Sequence, residues 1–408
     1  MVKNILYVIH SGTTGGTFNT NKDLMKNIEK KYNVFLLTAE SKHLILHKFK
    51  NNSLKTIKKF SRNFDWSAKT IHDSWLTYIY YEILTEYHID LVHIRHLIYH
   101  SFDLPQIAKK LNIPTVISFH DFYFICPNYM LLNEKNIYCK GICSNNEKNC
   151  YLPWNIFDDI HFKTILPLWR EEVKKMFEYV DIFVTTSQIV KDLFLSIYPN
   201  ETVINDNNFK VIEHGRDFPK INQKLYEIPS EEKPLKIICP ANNLNKTKGL
   251  DVIKNIKKID KDNHIEFHFL GNCTENMESL GISHGTYERD EFYKKVEKIN
   301  PSFIGVFSIW PETFCHTITE SWSCGIPVIG TNIGVIEDRI IRNNGGFTIN
   351  LSNFKESYKN IIYYKTNPQN YLKLINNVSK IRLKTTREMS EKYLEIYDEL
   401  LNELLREN

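Results

Sequence analysis

The chain has no apolar run near the ~18 residues that a helix needs to cross a bilayer. Its first strand-like run, Lys3 to His10, is too short and too polar at its flanks for a signal peptide. A cytoplasmic protein is therefore expected. Net charge is also scarce: 52 Lys and Arg face 48 Asp and Glu among 408 residues, leaving +4, too little to hold nucleic acid by bulk electrostatics. The 15 Gly and 14 Pro are scattered rather than clustered, which excludes disorder and fibrous repeats. Eight Cys are too sparse for a disulfide scaffold. What remains is the 42% hydrophobic, 25% charged profile of an ordinary globular chain, long enough for two or three domains.

Two series of alternating strands and helices follow one another. The first opens with the apolar run Lys3 to His10, a glycine-bearing loop through Gly15 and Gly16, and a helical stretch to Lys31. Further strands are expected at Val34–Thr38, Asp90–Arg95, Thr115–His120, Asp181–Ser187 and Phe209–Gly215. A polar stretch, Gln223 to Pro234, reads as a linker. The second series carries strands at Leu235–Pro240, Ile265–Gly271, Phe303–Ser308, Ile326–Gly330 and Gly346–Asn350, with a helix predicted over Glu312–Cys324. Such alternation predicts parallel sheets covered on both faces. The fold class is α/β, with two Rossmann-like doubly wound domains facing a cleft. The expected boundaries are 1–215, 216–385 and a C-terminal helix over 386–408 that packs back on the first domain. Ligands of such sheets bind at the carboxyl ends of the strands.

The chemistry concentrates between Trp310 and Gly330. Glu312 and Glu320 are eight residues apart, which puts them about two turns apart and about 80° round one helix. Pro311 suits a helix start, and the N–H groups of Thr313 and Phe314 would then face outward at the positive end of the dipole. That combination offers an anion site with a carboxylate beside it, suited to a ligand bearing hydroxyls and phosphates. A bare Glu pair at this spacing is more often a helix end and a solvated side chain. Here it follows a strand and precedes a small-residue turn into another, Cys324 to Gly330.

In that context the segment resembles the Glu-x7-Glu signature of the retaining GT-B glycosyltransferases, glycosyltransferase family 4, and looks closest to members that build bacterial surface polysaccharides. The resemblance implies a donor held by the second domain. Lys248-Gly249, opening a helix, matches the family's Lys-Gly pair, and Lys248 would neutralise the departing diphosphate. The family's usual Arg falls on Asn243. Arg216, in the turn Ile212–Asp217, is a candidate replacement, its plain alternative a surface ion pair with Asp217. His120, ahead of Asp121 at a strand end, resembles the His that approaches the donor sugar; the plain reading is a core histidine. Gly15 and Gly16 would let the first loop approach donor or acceptor without a Cβ. Cys315 stands where many members have Gly. Glu320 would hold the ribose and Glu312 the sugar hydroxyls.

The expected catalytic residues are thus His120, Glu312 and Lys248, and the donor-binding set is Gly15, Gly16, Arg216, Asn243, Lys248, Thr313, Phe314 and Glu320. The implied activity moves a hexose or deoxyhexose from a nucleotide diphosphate to a glycan or lipid-linked acceptor. A nucleotide-sugar epimerase of the same fold and a non-catalytic sugar-nucleotide-binding subunit are the alternatives, the latter drawn from Asn243 in place of Arg.

Two further segments stand out. Cys126, Cys139, Cys143 and Cys150 fall in one loop, 126–150, without a paired C-x2-C. They read equally as four reduced thiols or as ligands of a structural zinc. Asp260 and Asp262 read as a turn, and no catalytic metal is expected. From Ser41 to Phe64 there is no Asp or Glu, while Lys42, Lys48, Lys50, Lys55, Lys58, Lys59 and Arg62 alternate with apolar residues. Charge runs are usually solvated, but this one also suits an anionic membrane surface, as at the inner face of a membrane.

Overall fold

The computed structural model describes residues 2–10, 15–63, 65–66, 70–142, 162–199, 203–221 and 223–407. The chain divides into two units. Unit 1 comprises Met1–Glu134, Cys139–Asp217 and Lys384–Asn408, and unit 2 comprises Lys135–Tyr138 and Phe218–Leu383.

Unit 1 runs β1 (Asn4–Ile9), α1 (Gly16–Ile28), β2 (Asn33–Ala39), β3 (His43–Lys50), β4 (Ser53–Ser61), α2 (Ser74–Glu86), β5 (Leu91–Ile94), α3 (Asp103–Lys110), β6 (Thr115–Ser118), α4 (Phe162–Phe177), β7 (Ile182–Thr185), α5 (Gln188–Ile197) and β8 (Phe209–Val211). The sheet order is β4-β3-β2-β1-β5-β6-β7-β8, parallel from β2 to β8. The buried strands are near-continuous apolar runs, as a sheet covered on both faces requires.

Unit 2 contains β9 (Leu235–Leu244), α6 (Leu250–Ile259), β10 (Ile265–Cys273), β11 (Gly281–Ser283), α7 (Phe292–Ile299), β12 (Phe303–Val306), α8 (His316–Ser323), β13 (Val328–Thr331), α9 (Gly334–Asn343), β14 (Gly346–Ile349), α10 (Phe354–Thr366) and α11 (Pro368–Val378). Its order, β11-β10-β9-β12-β13-β14 and all parallel, is that of a dinucleotide-type doubly wound sheet, which reverses direction between its first and fourth strands. In unit 1 the corresponding reversal lies between β1 and β5. The last helix, α12 (Thr386–Glu407), returns to unit 1, where Met389, Tyr393, Tyr397 and Leu400 join a core with Tyr7, Leu24 and Met25.

Four expectations change. The basic run 41–64 forms an antiparallel hairpin, β3–β4. Asn51 and Asn52 turn it with φ of 54° and 59°, the pair of left-handed residues that a two-residue hairpin loop needs, and the Glu29 carboxylate accepts both their N–H groups. The stretch read as a linker packs on unit 2: Leu225 is buried in its core, and the division after Asp217 lies two residues from the expected boundary between 215 and 216. Strand β9 runs on to Leu244, so Asn243 lies within a strand, opposite Asn272. Finally, α8 starts at His316 rather than at Glu312, with consequences for the site.

Among the described residues no helix is long and apolar enough to cross a membrane.

Candidate functional site

The direction reversal of unit 2 brings together the turns that follow β9 and β12. After β9, the Asn245 side chain accepts from the Lys248 N–H at 3.1 Å and from the Thr247 hydroxyl at 2.8 Å, holding residues 246–248 as one 3-10 turn. Gly249 closes the turn at φ 91°, where a Cβ would stand 2.1 Å from the Phe307 carbonyl oxygen. Only glycine fits there. The turn is tied to β12 through the Thr247 carbonyl, which accepts from Ile309 N at 3.0 Å and from the Ser308 hydroxyl at 3.2 Å.

These constraints deliver Lys248 to Glu312. Its Nζ lies 2.6 Å from Glu312 Oε1, Ser308 Oγ donates to the same oxygen at 3.1 Å, and the ammonium sits 5.1 Å from the centre of the Trp310 ring. Burial pulls the Lys248 pKa down, but the Glu312 carboxylate outweighs it and holds the pKa above the ordinary lysine value. The carboxylate is the more enclosed partner, 13% exposed against 37% for the lysine.

Glu312 is not on a helix. It has φ 50°, and Cys315 has φ 64°, so the backbone turns twice through the left-handed region before α8 begins. The expected helix over 312–324, with Glu312 and Glu320 on one cylinder, is therefore corrected: Glu320 lies buried inside α8, whereas Glu312, Thr313 and Phe314 precede it. Thr313 and Phe314 are buried and come before the Cys315 cap of α8, so their N–H groups are not those of the helix tip. Arg339 from α9 braces the loop: Nη1 donates to the carbonyls of Phe314 (2.7 Å) and Cys315 (3.0 Å), Nη2 donates to Thr319 Oγ1 (2.9 Å), and the guanidinium lies 4.0 Å from the Phe314 ring centre. Burial and the Glu312 charge push the Cys315 thiol up to about 12, so it stays protonated near neutrality and is no nucleophile. Asn243 is exposed at the end of β9.

Unit 1 places His120 just beyond β6. Its ring stacks on His214, 5.4 Å between centres. Burial, followed by the charge of Arg95 and the neighbouring histidines, holds its pKa well below the usual value, so it is a neutral imidazole at pH 7. Asp121 turns toward another partner. The His96 Nδ1 accepts from Ile98 N at 3.0 Å, which leaves Nε2 carrying the proton that it donates to Asp121 Oδ2 at 2.8 Å. Gly15 adopts φ 101° ahead of α1, and a Cβ at Gly15 or Gly16 would meet nothing within 4 Å. The close approach that glycine permits is thus to open space, not to another part of the fold. Arg216 is buried and belongs to unit 1, its N–H donating to the Lys384 carbonyl at 2.9 Å; it is not in the unit that holds Lys248 and Glu312.

Sequence reasoning missed Ser308, two residues beyond β12, and His96, whose place after the β5 run was the available signal. Among the described residues no group of three or more His, Cys, Asp or Glu is placed to hold a metal. Cys126 is buried and Cys139 half-buried, while Cys143 and Cys150 lie outside the described residues.

Residues 14–218 match the family described as Glycosyltransferase Family 4, and residues 222–381 match Glycosyl transferases group 1. No curated protein matches the chain. Among solved structures, the chain is similar to a glycosyltransferase from Rickettsia africae (18% identity, TM-score 0.60, 98% of this chain and 99% of that one). It is also similar to HepE of Anabaena in complex with UDP-glucose (13%, 0.61, 97% and 99%), and to the catalytic domain of starch synthase IV from Arabidopsis thaliana bound to ADP and acarbose (12%, 0.61, 98% and 99%). At these identities the likeness is one of fold.

Proposed function

Because the chain belongs to glycosyltransferase family 4, with a group 1 domain behind it, and has the GT-B fold, we propose that it is a retaining hexosyltransferase that moves a sugar from a nucleotide diphosphate to a glycan or lipid-linked acceptor in surface polysaccharide synthesis. The observation that carries this reading is the Lys248–Glu312 pair at 2.6 Å, built on the two turns at the direction reversal of unit 2, where doubly wound sheets bind nucleotides. UDP, UDP-glucose and ADP in the related structures support a nucleoside diphosphate sugar as donor.

In this reading the bond from the acceptor hydroxyl oxygen to the anomeric carbon replaces the bond from that carbon to the diphosphate, the hydroxyl proton leaves with the departing diphosphate, and the anomeric configuration is kept. Negative charge grows on the diphosphate as it leaves. Lys248 takes that charge, exchanging part of its pairing with Glu312 for the phosphate oxygens, and a cation already in place needs no reorganisation during the reaction. Glu312 is thereby released to accept hydrogen bonds from sugar hydroxyls, while Glu320 holds the ribose and Asn243, Thr313 and Phe314 line the donor. Neutral His120, with Gly15 and Gly16, serves the reaction from unit 1, and Arg216 contributes from the same unit. A structural zinc on Cys126, Cys139, Cys143 and Cys150 is proposed outside the chemistry; metal analysis finding one zinc per chain checks it. The family match supports transfer over epimerisation.

The hairpin β3–β4 supports a second partner, an anionic membrane surface at the inner face. Lys48, Lys50, Lys55 and Lys59 are in no ion pair among the described residues, unlike Lys42, Lys58 and Arg62, and Ile57 beside them is 39% exposed. Co-sedimentation with phosphatidylserine vesicles that is lost at high salt checks this.

The central test is a thermal-shift panel of UDP-, GDP-, dTDP- and ADP-sugars on the wild type and on Lys248→Ala. One donor class should stabilise the wild type and lose most of its effect in the variant. If no nucleotide binds, the reading falls.

A further inference from the structure

The direction reversal of unit 1, between β1 and β5, is occupied by a charge that the proposed chemistry does not use. Arg95 follows β5 directly and is 0% exposed. Its Nη1 donates weakly to Ser118 Oγ at 3.4 Å and to Tyr393 Oη at 3.3 Å, and the guanidinium lies 5.6 Å from the Tyr393 ring centre. Nε and Nη2 have no hydrogen-bond partner, and Arg95 is in no ion pair among the described residues. The carboxylate of Asp121, next to His120 in the chain, is taken by His96 and by the Tyr123 N–H. A buried guanidinium with two of its three nitrogens idle is costly unless an anion completes it.

Its position is informative. Strands β5 and β6 pair with Ile94 opposite Ile117, which sets Arg95 beside Ser118. His120, half-buried, comes two residues later, in the bend just beyond the carboxyl end of β6. The depression of the His120 pKa by the Arg95 charge agrees with that proximity. The rest of the surroundings is fixed: His93 bonds Ser118 at 2.7 Å and also Tyr397, which in turn bonds Tyr7 at 3.0 Å. Arg95 is thus held by hydroxyls and rings that leave its fork free of competing acceptors.

We propose that Arg95 is the anion-recognition residue of unit 1, taking a carboxylate or phosphate carried by the acceptor at the carboxyl ends of β5 and β6 beside His120. The planar fork suits a two-point bond to either oxyanion. This rests on the reading that unit 1 handles the acceptor, and it adds that the acceptor is acidic.

The test follows thermal unfolding of the full-length chain in sodium phosphate and in sodium glucuronate, each against sodium chloride at equal ionic strength. At about ten times Kd such a site lifts Tm by roughly 3 °C. A lift with phosphate alone assigns a phosphorylated acceptor, a lift with glucuronate alone a uronic acid, and no lift with either overturns the proposal. Arg95→Gln should abolish the lift, and Lys248→Ala, which removes the cation of unit 2, should keep it. A lift that survives Arg95→Gln also overturns the proposal, because a merely structural arginine would lower the starting Tm and leave the anion response intact. Should Arg95→Gln not fold, the wild type decides: the His120 imidazole resonances should move on saturation with the active anion, and unmoved resonances reject the site. The donor panel separates the two readings. Nucleotide binding without an Arg95-dependent anion response defeats this inference alone, whereas absence of nucleotide binding defeats the proposed function.

Discussion

The two direction reversals of this chain each hold a cation, and they hold it differently. In unit 2, Lys248 is paired with Glu312, which neutralises its charge through one of its three N–H donors. In unit 1, Arg95 is deeper, surrounded by neutral histidines and hydroxyls, and has idle donors. The first arrangement stores a cation beside a carboxylate that a phosphate can displace, so the charge is stable before the ligand arrives. The second leaves a fixed charge uncompensated, so unit 1 carries the greater electrostatic burden. The same type of sheet therefore gives one unit a pair that is complete without ligand and the other a charge that an anion would complete.

That burden yields the largest expected effect. Burial holds His10 at about 3 and His100 at about 4, while His93 and His120 lie well below the ordinary value. All four belong to unit 1. Because the folded state keeps them neutral and the unfolded chain protonates them near pH 6.5, stability is fully present above that pH and falls as the pH drops toward the folded values. Each contributes about 1.4 kcal/mol per pH unit in that window, so about 5 kcal/mol is expected to go between pH 7 and 5.5. His72 opposes this in part: against its own desolvation, Asp103 and Glu172 hold its pKa up. In unit 2, His268 and His284 are lowered, by burial of smaller extent. Hydrogen exchange at pH 5.5 should therefore show unit 1 opening before unit 2; the reverse order breaks the comparison.

The next effect is on turnover. Lys248→Ala should lower kcat by about 10²- to 10³-fold, the usual loss for one donor aimed at developing charge. Glu312→Gln keeps the shape and the Ser308 bond but leaves Lys248 without its counter-charge. Diphosphate binding should tighten while kcat falls, because the phosphate no longer competes with a carboxylate. Calorimetric titration with the donor's nucleoside diphosphate checks both, and a weaker diphosphate affinity in Glu312→Gln would show that the pair does not act as a reserve.

Much of this was legible in the sequence, for physical reasons. The buried parallel strands announce themselves because both faces are apolar, and Lys248-Gly249 is visible because Gly249 alone tolerates the Phe307 carbonyl at that distance. The position of Glu312 was not legible. A run with Pro311 and well-spaced carboxylates has every local cue for a helix start, yet the loop is fixed by Arg339, from 27 positions further along, and by Ser308, neither of which local periodicity can reveal. The hairpin β3–β4 was hidden for another reason: its alternation is broken by a bulge between Leu46 and His47, and its turn depends on Glu29 from a preceding helix. Arg95 reads locally as one more charged residue after a strand. Its contacts with Ser118 on β6 and Tyr393 on α12 come from residues far along the chain.

A smaller effect should come from Gly249→Ala. The new methyl would meet the Phe307 backbone and a φ of 91°, at a cost of about 2 kcal/mol, read as a lower urea midpoint for unit 2. Activity should fall further than stability, since the same shift moves Lys248 away from Glu312.

The smallest contrast lies in two helix caps, one in each unit. The Asn245 side chain accepts from the Lys248 N–H and the Thr247 hydroxyl, so Asn245→Ala should cost about 1 kcal/mol, and Asn245→Asp should recover most of it. Ser187 precedes α5 in unit 1, just beyond the end of β7, but makes no capping bond, and among the described residues its hydroxyl is buried without a partner. Removing an unsatisfied buried hydroxyl relieves a desolvation cost, so Ser187→Ala should leave stability unchanged or raise it by up to about 1 kcal/mol. Denaturant titration of the two variants side by side tests this. If Ser187→Ala proves as damaging as Asn245→Ala, unit 1 satisfies its polar groups as fully as unit 2, and the contrast between the two strand ends loses its basis.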